Sequence, residues 1–129
     1  MNPNNKKQTI SFFGTCSASS NITLVSQQIS GAFDVKKIRA SFAPGVERLM
    51  KLKFYISPDP EAPTTAHPNG VNILQQTGQA NYITGDNEFK EFEHEVRNPT
   101  RNAWLKVYAE NADTFAHTID AQVTLEYLD

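Results

Sequence analysis

The sequence predicts an all-β fold: one antiparallel β-sandwich of jelly-roll type, with about eight strands. Three observations point there. Apolar and polar residues alternate with period two through the longest segments, Gly, Pro, Asn and Asp mark turns at short intervals, and no βαβ rhythm occurs. Successive strand side chains point to opposite faces, so such alternation marks a sheet with one buried and one wet face. At 129 residues, 39% hydrophobic and 20% charged, the chain is long enough to bury a continuous core without metals or disulfides.

Along the chain, residues 1–8 are polar and are expected as a loose arm ahead of a single domain over 9–129. Residues 9–13 and 22–25 form the first short strands. Phe33 and Val35 share one parity and Ile38, Ala40 and Phe42 the other. One extra residue near Lys36-Lys37, a β-bulge, restores a single buried face, unless Phe33 and Val35 face another layer. Ala43-Pro44-Gly45 is a turn. Met50, Leu52, Phe54 and Ile56 then point inward while Lys51, Lys53 and Tyr55 point outward. Helical spacing of Val46, Leu49, Met50 and Lys53 is the alternative there.

Residues 57–69 carry Pro58, Pro60, Pro63 and Pro68, which cannot serve a central ladder, so this is a long stiffened loop. Residues 71–74 and 82–84 are short strand candidates, with turns at Asn69-Gly70 and Gly85-Asp86-Asn87. Phe92, His94 and Val96 alternate with Glu91, Glu93 and Glu95 as a half-exposed strand. A helix capped by Asp86 or Asn87 and carrying Phe89, Phe92 and Val96 is the competing reading. After the Asn98-Pro99 turn, Ala103, Leu105, Val107 and Ala109 share one face. His117, Ile119, Ala121, Val123, Leu125 and Tyr127 share one face of the final strand.

Composition restricts function more than it defines it. The net charge is −2 and no basic stripe exists, so nucleic acid is not an expected partner. No basic amphipathic segment serves a membrane surface, and no apolar run approaches the ~20 residues that span a bilayer. The polar start lacks the apolar core of a secretory leader, and Cys16 is the lone cysteine. A cytoplasmic or virion protein is expected. The Asn21-Ile22-Thr23 triplet is read as a chance match to a glycosylation acceptor.

Candidate chemistry is sparse. Zinc needs three or four converging ligands, whereas His67, His94 and His117 lie in separate elements. His94 and His117 share core-facing parity, so a small cupin-like metalloenzyme requires them to meet in space; a buried, hydrogen-bonded histidine is the simpler expectation. No cofactor is expected. Cys16 sits among Thr15, Ser17, Ser19 and Ser20 with no base beside it, so an inert thiol is expected. Asp86, Asn87 and Glu88 offer oxygens to calcium, but an ordinary turn explains them.

The outward face of the 103–109 strand is the most informative feature. Trp104, Lys106, Tyr108 and Glu110 share it, and Tyr82 can join from another strand. Two aromatics there make a platform for a sugar ring or a protein partner, or are covered by the proline-rich loop or the amino-terminal arm. The resulting expectation is a non-enzymatic interaction or structural module, a homo-oligomer subunit such as a phage or virion component by fold analogy. A carbohydrate-binding module using Trp104, Tyr108, Tyr82, Asp86 and Asn87 is the alternative.

Overall fold

The computed structural model describes residues 6–64, 66–76, 80–93 and 95–128. Among them the chain forms strands β1 (Lys7–Cys16), β2 (Ser20–Val25), β3 (Phe33–Phe42), β4 (Met50–Ser57) and β5 (Val71–Asn72), then one helical turn, α1 (Ile73–Gln76). β6 (Glu88–Phe92), β7 (Val96–Asn98), β8 (Trp104–Asn111) and β9 (His117–Tyr127) follow. Two antiparallel sheets result, one ordered β1-β9-β3-β6 with β7 also on β3, the other ordered β2-β8-β4-β5. The fold is an all-β sandwich.

The alternation accounts for the core. Met50, Leu52 and Phe54 on β4, Val107 and Ala109 on β8, and Ile119 and Leu125 on β9 are all fully buried. The β3 bulge falls where parity requires it, with the register against β9 shifting between Val35 and Lys37. That extra residue lets Phe33 and Val35 share the inner face with Ile38, Ala40 and Phe42, all 3% exposed or less. Both helix alternatives give way to strands, because β4 and β6 complete ladders with β8 and β3 respectively.

Three local expectations change. β1 starts at Lys7, with Lys7 and Gln8 paired to Glu126 and Leu125, so these two residues belong to the sheet rather than to an arm. The strand expected over 71–74 stops after Asn72, whose Oδ1 accepts the Gln75 N–H at 3.1 Å and caps α1. A side-chain cap competes with the ladder for the same backbone, and here it wins. Residues 82–84 contribute an isolated bridge, Leu52 to Ile83, rather than a strand.

Candidate functional site

β8 runs between β2 and β4, so its outward side chains lie in a grid. Lys106 sits between Val25 and Tyr55, Tyr108 between Thr23 and Lys53, and Glu110 between Asn21 and Lys51. The centre of this face is dry: Tyr108 and Lys106 are each only 1% exposed. The 57–69 loop covers them. Thr23 Oγ1 donates to the Pro63 carbonyl at 2.5 Å, and the His67 ring lies 4.9 Å from the Tyr108 ring.

Charge holds this cover in place. Lys106 Nζ, its side chain fully buried, donates to Asp59 Oδ1 at 2.7 Å. Lys53 Nζ reaches Glu110 Oε1 at 2.6 Å and His67 Nε2 at 2.7 Å. A long lysine stem packs along apolar surface, but its ammonium needs a partner when dry. Lys106, joined by the Asn69 amide and the Glu61 N–H, lowers the Asp59 carboxyl to about 2. The clamp is therefore complete above the ordinary aspartate range near 4 and is lost as pH falls through about 2.

Replacing Asp59 with Ala leaves the Lys106 ammonium buried without its counter-charge. The expected results are a Tm lower by at least about 5 °C and new proteolytic cleavage within 57–69 at neutral pH. Adding Lys106→Met should restore most of the Tm, since an apolar side chain there needs no partner. A double variant no more stable than Asp59→Ala would contradict the clamp.

The other predicted site residues do not assemble with Tyr108. Trp104 is half-buried at the start of β8, opposite Ser57. Tyr82 stands across β4, with Lys51 Nζ 4.6 Å above its ring. Asp86 is a turn residue whose Oδ1 accepts the Gly45 N–H at 3.0 Å, and Asn87 has φ of 51° in the same turn. Thus the structure joins Tyr108 to His67 and Thr23, residues that strand parity does not connect. Long-range loop docking leaves no periodic trace in sequence.

At one end of the sandwich, Cys16 is fully buried and opposite His117 in the β1–β9 register. Burial pushes its thiol pKa up, and Sγ donates to the Ser20 carbonyl at 3.3 Å, the reverse of an activated thiolate. His117 Nε2 lies 2.7 Å from Asp113 Oδ2, which holds the Asp113 carboxyl below its usual range. His94 lies outside the described residues. Among the described residues no group of three or more His, Cys, Asp and Glu is placed to hold a metal.

The outer face of the β1 sheet is different, because among the described residues it carries exposed side chains at Phe13 and Phe89. One row across the strands reads Phe13, Asp120, Ser41 and Phe89; the next reads Ser11, Gln122, Arg39 and Glu91. Arg39, Ser41, Asp120 and Gln122 line a shallow cleft of about 160 Å³. Phe13 is 75% exposed and Phe89 58%, with the Arg39 guanidinium 4.5 Å above the Phe89 ring. Phe115, in the β8–β9 loop, is 71% exposed. Parity places Phe13 outward on β1, but only the sheet order shows that it shares a row with Phe89.

No family model matches the chain. No curated protein matches it either. Solved structures align with the chain. The VP2 subviral particle of infectious bursal disease virus aligns with TM-score 0.52 and 9% identity, over 97% of this chain and 33% of that one. The chain thus spans about a third of the length of VP2. A mitogen derived from Yersinia pseudotuberculosis aligns at 0.48 and 8% identity, over 91% of this chain and 85% of that one. A capsid chain of cyanophage Pam1 aligns at 0.42 and 11% identity, over 96% and 85%. At 9% identity the likeness to VP2 concerns fold alone. Among the described residues no helix is long and apolar enough to cross a membrane.

Proposed function

We propose that the domain is a non-enzymatic assembly module, a subunit of a homo-oligomer of the kind that builds a virion or another protein shell. The observation that carries this reading is the exposure of Phe13, Phe89 and Phe115, each more than half open to solvent. Large apolar rings left outside an otherwise well-filled core are characteristic of surfaces that another protein covers. The ionisable groups support it from the other side. Lys106, Lys53, His67 and His117 are engaged in ion pairs or hydrogen bonds that fasten loops to strands. The sandwich architecture shared with the VP2 subviral particle is compatible with such a role, and a sheet order in which consecutive strands cross between sheets from β1 to β4 supports a jelly-roll reading of it.

The test replaces Phe13, Phe89 and Phe115 with Ser together. The variant should keep the wild-type Tm within a few degrees, because exposed rings contribute little to folding. Its solution mass should fall below that of the wild type. An unchanged oligomer would refute these rings as its contacts.

A second reading follows from the cleft between Phe13 and Phe89. Arg39, Ser41, Asp120 and Gln122 offer a cation, a hydroxyl, a carboxylate and an amide between two exposed rings, which suits a sugar. This relocates the carbohydrate reading from the buried Tyr108 to the opposite sheet. A glycan array distinguishes the two: a sugar site loses its signal in Asp120→Ala while the solution mass stays the same.

A further inference from the structure

We infer that the free edge of β1 pairs antiparallel with β1 of a second copy of this chain, so that the two β1 sheets become one; this rests on the assembly reading above. The argument begins with how the sheet edges are protected. An open edge presents unpaired N–H and C=O groups, and proteins blunt such edges with short strands, charges, prolines or covering loops. β5 and β7 are only two and three residues long. β6 carries Glu88, Lys90 and Glu91. β2 is tied to the 57–69 loop through Thr23.

Among the described residues, β1 beyond Lys7 has none of these safeguards. It is ten residues long, and from Gln8 to Cys16 it contains no charge and no proline. Among the described residues its ladder is made with β9 alone, on one side. Thr9, Ser11, Phe13 and Thr15 on its outer face are all exposed. Beside its first half lies a cleft of about 350 Å³, where Gln8, Thr9, Ile10 and Ser11 face residues 25–29. This is the open mouth between the edges of the two sheets, and it leaves the β1 edge accessible to a strand added at the usual spacing of about 4.8 Å.

The composition of β1 selects its own copy as partner. Its one charge, Lys7, stands at the strand start. In an antiparallel pair that end meets the uncharged far end of the other strand, so like charges stay apart. A two-fold axis makes the same residues serve both partners, and it carries the two Phe13 rings onto one face, where they bury surface that neither copy covers alone.

The test combines solution mass with hydrogen exchange on the full chain, using wild type and a Ser11→Lys, Phe13→Lys double variant. Both substitutions are on the exposed face, and circular dichroism and thermal melting establish that the fold is kept. The wild type should be an oligomer whose 7–16 amides exchange more slowly at high concentration than at low. The variant should dissociate, with the self-association constant weakened at least about 100-fold, since each change occurs twice across the axis. An oligomeric wild type whose 7–16 amides ignore concentration overturns the edge pairing and leaves the assembly reading standing. A monomeric wild type overturns both. A folded variant that stays fully assembled also overturns the edge pairing.

Discussion

Asn111→Ala should lower stability by about 3 kcal/mol, seen as a fall of roughly 10 °C in Tm, although the residue is polar and remote from the core centre. Asn111 is 3% exposed at the end of β8. Its Nδ2 donates to the carbonyls of Phe115 at 2.8 Å, Ser17 at 3.2 Å and Cys16 at 3.3 Å, while Oδ1 accepts the Asp113 N–H at 3.0 Å. One amide thus ties the β1–β2 turn to the β8–β9 loop. Truncation strands several backbone groups at once, and each buried group without a partner costs about 1–3 kcal/mol. Asn111→Asp sharpens the test, because a carboxylate would face three carbonyl oxygens. It should be worse than Ala at pH 7 and should recover part of the loss near pH 3, where protonation removes the charge. Equal stability of wild type and Asn111→Ala in chemical denaturation would show that solvent satisfies these groups.

Gly70→Ala should be the most damaging glycine-to-alanine substitution among the described residues, at least about 2 kcal/mol, with loss of the β4–β5 pairing. Gly70 has φ of 121°, and a Cβ built there would sit 2.1 Å from the Ile56 carbonyl oxygen and 2.8 Å from the Ser57 Cα. Both obstacles are backbone, so no side-chain rotation relieves them. The residue closes the 57–69 loop and delivers the chain to β5, where Asn72 opposes Tyr55. The cover over Lys106 and Tyr108 should loosen with it, and faster exchange of the Tyr55 and Asn72 amides would report this. Gly45 is the contrast: φ is 95°, but nothing lies within 4 Å of its would-be Cβ. Gly45→Ala should therefore cost clearly less. Equal losses at the two positions would contradict the contact assigned to Gly70.

The strands that one face of alternation defines were legible in the sequence. Leu105, Val107, Ile119, Val123 and Leu125 face inward as their parity requires, and the β3 bulge lies between Val35 and Lys37. Period two reports which side of a sheet is apolar; it does not report what covers the other side. That is why the sequence leaves an open platform and cover by the proline-rich loop as alternatives for Trp104, Lys106 and Tyr108, whereas the folded chain places Asp59, Pro63 and His67 against the last two and their neighbour Thr23. The docking groups, Asp59, the Pro63 carbonyl and His67, are spread through a loop whose prolines signal stiffness but not direction. The exposed row from Phe13 to Phe89 was equally hidden, because it joins strands distant in sequence through β9 and β3. Asp86 and Asn87 followed the local turn chemistry that their residue types prescribe.

Whether the chain assembles with itself is decided most directly by sedimentation equilibrium of the untagged wild type at micromolar concentration. Self-association through exposed rings and an open β1 edge requires a mass that is a multiple of the 14.4 kDa chain and falls toward it on dilution. A single species at 14.4 kDa throughout, up to about 100 μM, would contradict it.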